Sequence, residues 1–273
     1  MLATRFGRRA HMFRSDEPLV DDVIARYAPS IFAREPHDSR SERYTYIPTI
    51  DVLDGLRKEG FQPFMVMQTS VRDESRREHT KHMIRLRHAD QITAGEANEI
   101  VLLNSHDGTS SYQMLSGMLR FVCGNGLIIG DNINDVRLPH KGDVVHQVIE
   151  GAYEVLGSFD KANDQRDGMK SLTLNRGEQD AFAHAALALR YDQPDSAPIN
   201  ERQALIPRRS EDGKSDLWST FNTVQENLVK GGLRGRNSAN RRTVTRAITG
   251  IDQDIKLNRA LWLLADRMRE LKA

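Results

Sequence analysis

The residues best suited to chemistry lie in a basic run from Lys230 to Arg246, and no Asp or Glu occurs from Asn227 to Ile251. Glycines in this run let backbone amides approach a phosphate closely, and Asn, Ser and Thr side chains add uncharged donors. This mixture suits a nucleic-acid backbone, because cations displace counterions and neutral donors fix position. The alternative is a solvated loop and helix face. The cations of the run are Lys230, Arg234, Arg236, Arg241, Arg242 and Arg246.

A second group of cations surrounds the alternating segment Thr80–His88. If this segment is a strand, its basic side chains share one face, and two further arginines precede it in a charged loop. We expect this face to bind phosphate as well, although surface ion pairing with the acidic residues of the loop is equally compatible with the pattern. The cations concerned are Arg76, Arg77, Lys81, Arg85 and Arg87.

Other reactive residue types do not form a catalytic pattern. His82 and His88 share the opposite strand face without a carboxylate nearby, which argues against a metal site. Cys123 ends a predicted helix, where the dipole raises a thiol pKa rather than activating it. The segment Asn104–Gly108 contains Ser, His and Asp, but the Asp-Gly pair favours a turn. We therefore predict no catalytic residue, no metal and no cofactor.

Composition limits the class of protein. The chain has 273 residues, 38% of them hydrophobic and 28% charged, which suffices for a folded core. Its net charge of +1 excludes a histone-like binder, so any nucleic-acid site has to be a local patch. A single cysteine excludes intrachain disulfides. Because the sequence shows no signal peptide and no apolar span, we expect a cytoplasmic protein without membrane contact.

The elements that position these residues are predicted to form an α+β core over residues 46–140. A helix at Ile50–Lys58 precedes strands at Phe61–Val71, Thr80–His88 and Glu99–Ser105, and Tyr112–Cys123 has helical spacing. The expected fold is thus an antiparallel sheet of three to four strands with a β-β-β-α core, packed by helices. The fourth strand would be Leu127–Ile129.

The flanking regions are predicted to be simpler. Residues 1–45 form a loose arm, a short helix near Leu19–Tyr27 and a short strand at Tyr44–Ile47. Residues 141–273 are mostly helical and contain the basic segment 230–246. The predicted C-terminal helices are His146–Asp160, Glu178–Leu189, one capped by Asp216 and one from about Asp252, with a flexible loop at Gln193–Gly213. The seam Leu257–Leu271 is expected to pack internally or against another subunit.

Several motifs together resemble one family of phage- and plasmid-borne proteins, named domain of unknown function nine-three-two. The motifs are Ala28–Ala33, Ser39–Tyr44, Ile47–Thr49, Gly60–Phe64, Arg77–Met83, Leu103–Gly108, Phe121–Leu127, Leu217-Trp218, Asn222, Gln225–Asn227 and Gly231-Gly232. This resemblance spans nearly the whole chain but implies no particular activity. The predicted element order is also similar to the core of single-strand annealing proteins of the Rad-fifty-two type, which form rings around a basic groove.

These observations predict a single-stranded DNA-binding and annealing protein of a phage or plasmid, acting in recombination as a homo-oligomer, either a ring or a filament. Phosphates would bind the two basic surfaces, leaving the bases free to pair. Few aromatic residues are available for base stacking, so backbone contacts would dominate. The alternative is a host-defence antagonist or regulator that acts by protein–protein contact through exposed apolar surfaces.

Overall fold

A computed structural model of the protein describes residues 11–37, 46, 48–71, 74–88, 90, 95–122, 124–130, 135–138, 144–191 and 196–272. The chain divides into two compact units. The first comprises the described parts of Met1–Leu119 and Asn132–Ser158, together with Thr249–Ile251. The second comprises those of Arg120–Asp131, Phe159–Ile248 and Asp252–Ala273. The predicted strand at Tyr44–Ile47 lies largely outside the described residues, and Cys123 lies wholly outside them.

The first unit is built on a sheet with the strand order β1-β2-β3-β4-β5, and β7 also pairs with β5. The α+β class is thereby confirmed, although the sheet is larger than the three or four strands predicted. The strands are β1 His11–Arg14, β2 Phe61–Gln68, β3 His82–His88, β4 Glu96–Asn104, β5 Tyr112–Arg120 and β7 Val136–Leu138. Strand β6, Asn125–Ile128, falls within the second unit and overlaps the predicted strand Leu127–Ile129. The pairs β1–β2, β2–β3, β3–β4 and β5–β7 are antiparallel.

The predicted helix at Tyr112–Cys123 is wrong, because residues Tyr112–Arg120 form β5. Every residue from Met114 to Leu119 is buried, so both faces of this strand are covered. A strand without a polar face has no visible two-residue period, and its apolar residues then fit a helical spacing by coincidence. The β-β-β-α order behind the annealing-protein analogy is therefore absent here. Gly124 adopts φ 60° in the turn that follows β5, not at a helix end.

Within the predicted N-terminal arm, the described residues His11–Arg14 form a strand, β1, which pairs with β2. The helices of this unit are α1 Asp21–Tyr27, α2 Thr49–Lys58 and α3 Val144–Gly157, and a 3-10 turn spans Pro29–Phe32. Gly151 of α3 lies so close to Met114 and Val136 that a Cβ atom would meet the Met114 side chain at 2.4 Å. The glycine thus lets α3 pack directly against β5 and β7.

The second unit is mostly helical, as predicted for the C-terminal region. Its helices are α4 Phe159–Ser171, α5 Arg176–Tyr191, α6 Glu201–Ala204, α7 Leu217–Lys230 and α8 Ile251–Lys272. The first residue of α8, Ile251, is assigned to the first unit. The single helix predicted at His146–Asp160 is wrong, since α3 ends at Gly157 and α4 begins at Phe159. The loop predicted at Gln193–Gly213 contains α6 and a 3-10 turn at Ser210–Asp212.

Helix α7 is the centre of the second unit. All residues from Leu217 to Leu228 are buried, and Trp218 and Phe221 lie 6.1 Å from the ring of Trp262 on α8. The predicted cap is confirmed, because Asp216 Oδ1 accepts the Ser219 amide at 2.8 Å. The polar side chains of α7 bind its neighbours, as when Asn227 donates to the carbonyls of Ala204 and Ile206. The seam on α8 packs internally at Leu257 and Leu261, which are buried.

Candidate functional site

The basic run folds into a β-hairpin immediately after α7. Strands β8 Arg234–Arg236 and β9 Arg242–Val244 pair antiparallel, with Arg234 opposite Val244 and Arg236 opposite Arg242. At the tip, Asn237 Oδ1 accepts the amides of Ala239 (3.1 Å) and Arg241 (2.9 Å). Asn240 adopts φ 58°, a left-handed conformation that Asn tolerates better than most residues. The basic run is therefore a defined hairpin, and its tip is solvent-exposed, as the alternative interpretation also expects.

The hairpin is anchored to α6 and to the segment that precedes it. The Arg236 amide donates to the Pro198 carbonyl at 2.8 Å, and Gln203 Nε2 donates to the Arg234 carbonyl at 2.7 Å. Between these two bonds the backbones are so close that a Cβ atom on Gly235 would lie 1.7 Å from the Pro198 oxygen. Only glycine fits this position, and the arginines on either side are held at a fixed distance from the segment.

An open groove of about 840 Å³ lies between the hairpin and this segment. Three arginines of the hairpin line it, Arg234, Arg236 and Arg242. The apolar part of the lining includes Leu187 and Ile199, both buried, and Val244. The groove is thus a concave site with cations along one wall and apolar side chains in its floor.

The arginines of the hairpin carry a concentrated positive charge into solvent. All five from Arg234 to Arg246 are exposed, and within the part of the chain that the structure describes none of them pairs with a carboxylate. Arg236 instead donates to the Asn240 carbonyl at 2.8 Å, which directs its guanidinium along the tip. Lys230 differs from the others, because its ammonium lies 2.7 Å from Glu226 Oε1. The structure therefore brings together Arg234, Arg236, Arg241 and Arg242 on one hairpin, and Arg246 follows two residues after β9.

The predicted basic face of β3 is wrong for Arg85 and Arg87. Both side chains are buried and both donate to Glu99 on β4, Arg85 Nη1 at 2.8 Å and Arg87 Nε at 2.9 Å. The register that pairs Leu86 with Ile100 places Glu99 beside Arg87, so the arginines neutralise a buried carboxylate. They are not available to a phosphate. The remaining cations of this group stay in the first unit, where Arg76 and Arg77 are exposed and Lys81 is half-buried.

A second polar cluster, which the sequence did not indicate, is buried in the first unit around His82. Its two ring nitrogens face hydroxyl groups, with Nδ1 2.8 Å from Ser30 Oγ and Nε2 2.9 Å from Thr49 Oγ1. Gln68 Oε1 accepts from the Ser30 hydroxyl at 2.8 Å, and Asn104 Nδ2 donates to Thr49 Oγ1 at 3.0 Å. These partners satisfy the neutral imidazole, and burial lowers the pKa of His82 from 6.5 to about 4.

This cluster is closed, because Ser30, Thr49, His82 and Asn104 are all fully buried. The rings of His82 and His106 lie 5.2 Å apart, and those of Tyr46 and His106 lie 4.9 Å apart. The residues derive from segments far apart in the chain, which is why sequence spacing could not reveal them. We assign the cluster the role of fixing the ends of β2, β3 and β4 against α2.

Two buried carboxylates in the second unit are also structural. Arg209 bridges them, donating from Nε to Asp212 Oδ2 at 2.9 Å and from Nη2 to Glu226. Arg120 adds a contact of 2.6 Å to Asp212. Each carboxylate therefore lies against basic side chains, and the network holds the 3-10 turn at Ser210–Asp212 against α7.

The described residues form neither a metal-binding cluster nor a membrane-spanning helix. Within the described ranges, no group of three or more His, Cys, Asp or Glu side chains is placed to hold a metal ion. The histidines predicted as weak metal candidates are dispersed, since His82 belongs to the buried cluster and His88 packs against Phe61 at 5.1 Å between rings. Among the described helices, none combines the length and the apolar character needed to cross a membrane.

Comparison with known proteins identifies the family. Residues 36–262 match the family described as Domain of unknown function (DUF932). Two relatives from Escherichia coli (strain K12), "UPF0380 protein YfjQ" and "UPF0380 protein YafZ", are each 58% identical over 267 residues, covering 98% of this chain and 97% of the relative. No solved structure matches the chain. The chain belongs to the DUF932 family, as its motifs predicted, and because these names state no activity its function has to be argued from the site.

Proposed function

We propose that the protein binds single-stranded DNA through the hairpin Arg234–Val244 and the groove beside it. One observation carries this proposal: the hairpin presents a set of exposed arginines that have no carboxylate partner among the described residues. Charged side chains that stabilise a fold are commonly paired, as Arg85 and Arg87 are with Glu99. A fixed cluster of unpaired guanidinium groups beside an open groove suits a polyanion.

Phosphate binding by this hairpin would rely on geometry that is already in place. Guanidinium groups bind phosphate oxygens with two parallel hydrogen bonds, and their fixed spacing along β8 and β9 lowers the entropic cost of binding. Thr243 and Asn200 add uncharged polar groups in the groove lining. Arginine side chains that neutralise phosphates release condensed counterions, so the affinity has to fall as salt increases.

A single strand fits this site better than a duplex. The strands of the hairpin have only three residues each, too short to follow a major groove for more than a few base pairs. A flexible strand can instead bend its phosphates toward Arg234, Arg236 and Arg242 around the rim of the groove. Annealing and homo-oligomer formation belong to the same proposal, in which bases not held by the protein pair with a second strand.

The test is a fluorescence-anisotropy titration with a labelled thymidine oligonucleotide of about 15 nucleotides. Replacing Arg236, Arg241 and Arg242 by Ala removes three cations of the hairpin. The slope of log affinity against log salt is expected to become shallower by about 2, since each phosphate contact to a single strand contributes roughly 0.7. The same titration with a duplex of equal length measures the preference for a single strand.

A variant with the same change in charge serves as the control. Arg26, Lys161 and Lys256 are exposed cations outside the hairpin, and replacing them by Ala should leave the salt slope close to that of the wild type. Equal slopes for the two triple variants would show that net charge, and not the hairpin, determines binding. No salt-dependent affinity in the wild type would refute the proposal outright.

Annealing requires its own measurements. The rate at which two complementary oligonucleotides pair should increase with the protein and return to the uncatalysed rate with the hairpin variant. Light scattering with and without the oligonucleotide measures the mass of the particle. A ring-sized particle that binds the strand supports annealing by an oligomer. A monomer indifferent to the strand would contradict it and favour a protein that acts by protein–protein contact.

A further inference from the structure

The groove beside the hairpin is apolar as well as basic. Leu187 of α5 and Ile199 are buried beneath it, and Val244 of β9 lies at its edge with 53% of its surface exposed. Val244 stands opposite Arg234 in the hairpin register. Because its side chain is accessible, Val244 brings apolar surface to the open part of the groove, where an apolar part of a ligand can contact it.

The opposite wall of the groove differs in charge. It includes Asn200, Glu201 and Gln203, and Glu201 Oε1 lies 2.8 Å from His184 Nδ1. The hydrogen bond from His184 holds the pKa of Glu201 below its ordinary value, so the carboxylate is ionised at neutral pH. A phosphate is repelled from this wall and attracted to the arginines opposite. A ligand in the groove therefore has to present its anionic part to the hairpin and a neutral part with polar edges to the other wall.

A nucleotide has this distribution of chemistry. On the basis of the proposed function, we infer that the groove holds one nucleobase of the bound single strand against Val244, above the buried side chains of Leu187 and Ile199. The phosphates on either side of this base bind Arg234 and Arg242 at the rim. The volume of about 840 Å³ lies within the range of about 300–1,000 Å³ typical of small-molecule sites, so a nucleotide fits.

This aliphatic part of the groove, here called the base slot, would replace the aromatic side chains on which bases commonly stack in single-strand binders. The hairpin from Arg234 to Val244 has no Phe, Tyr or Trp. Aliphatic side chains contact the flat face of any base, which gives affinity without strict sequence preference. On the other wall, the Asn200 side-chain NH2 can donate to the edge of the base and the Glu201 carboxylate can accept from it, whereas Gln203 is already bonded to Arg234 and Asn200.

The test compares two oligonucleotides with the same backbone, one of thymidines and one of abasic residues, each about 15 units long. The wild-type protein should bind the thymidine strand more tightly. Val244→Ser should weaken binding of the thymidine strand by about fivefold, because the base loses contact with apolar groups, and should leave the abasic strand unaffected. The control is Leu189→Ser, an exposed leucine of α5 that does not line the groove.

The outcomes separate this inference from the proposed function. If both strands bind equally and Val244→Ser behaves like Leu189→Ser, the base slot is refuted. In that case a loss of binding in the Arg236, Arg241 and Arg242 triple variant would still support phosphate binding by the hairpin. If the wild type binds neither strand, both are refuted. Because Val244 is exposed, its substitution should preserve the fold, which circular dichroism and urea unfolding can check.

Discussion

Arg85 on β3 and Glu99 on β4 form an ion pair of 2.8 Å inside the first unit, where the Glu99 side chain has no exposed surface. Arg87 makes a second contact to the same carboxylate at 2.9 Å and stacks over the Phe64 ring at 4.1 Å. Burial opposes ionisation of Glu99, but the two arginines outweigh it and hold its pKa below the ordinary value. The carboxylate therefore stays charged and compensates the guanidinium groups on β3.

Replacing Glu99 by Gln should strongly destabilise the protein. The substitution removes the buried negative charge that Arg85 and Arg87 share, for which a cost of about 3–5 kcal/mol in the free energy of unfolding is expected. Urea unfolding measures the cost. Glu96 lies on the same strand and is less deeply buried, so Glu96→Gln is the matched control. A loss below 1 kcal/mol at Glu99, roughly that of a surface pair, would contradict this assignment.

Stability should depend on pH through His82. The folded protein holds this imidazole neutral down to about pH 4, whereas the unfolded chain protonates it near pH 6.5. The unfolded state therefore binds more protons between these values, and stability should fall by about 1.4 kcal/mol per pH unit as pH decreases below 6.5. His82→Gln should remove this part of the slope. A slope that stays the same in His82→Gln would contradict this account.

Gly235 should be essential to the position of the hairpin. A methyl group there would overlap the Pro198 carbonyl at 1.7 Å, so Gly235→Ala has to displace β8 from the segment before α6. We expect affinity for a single-stranded oligonucleotide to fall at least about tenfold, with a loss of unfolding free energy of about 1–3 kcal/mol. Gly177→Ala, where the nearest atom lies 3.4 Å away, is the control. Wild-type affinity in Gly235→Ala would show that the anchoring is unimportant for binding.

Helix α7 should depend on its cap. Asp216 accepts from the Ser219 amide and from the Ser219 hydroxyl, both at 2.8 Å. Removing these bonds with Asp216→Ala should cost about 1–2 kcal/mol in thermal or urea unfolding. Asp164→Ala, at an exposed position on α4, should change the stability by less than about 0.5 kcal/mol. A similar small effect at Asp216 would mean that tertiary packing alone determines where α7 begins.

Local patterns predicted many elements correctly. The strand at Phe61–Gln68 and the helix at Thr49–Lys58 lie where apolar spacing and the stop at Gly60 placed them. The Asp216 cap was recognised because an N-cap acts within three residues of the chain. β5 was missed because a strand covered on both faces loses the alternation on which such predictions depend.

The prediction of site residues was also limited to what local sequence patterns can reveal. Composition identified the basic run, because an absence of acidic residues over Asn227–Ile251 is visible in the sequence alone. The burial of Arg85 and Arg87 was not visible, since it depends on Glu99 arriving from another strand in a specific register. Nor could the groove be foreseen, because its two walls are separated by the whole of α7 along the chain.

The complete burial of Leu217–Leu228 has a further consequence for how the protein moves. Backbone amides in such a helix exchange with deuterium only when the surrounding unit opens, so their protection measures its global stability. The hairpin begins four residues after α7 ends, and because its residues are mostly exposed, its hydrogen-bonded amides can exchange through much smaller openings. Deuterium uptake at the hairpin can thus be compared with uptake at α7 in the same molecule. Uptake that slows at the hairpin but not at α7 would indicate a bound ligand.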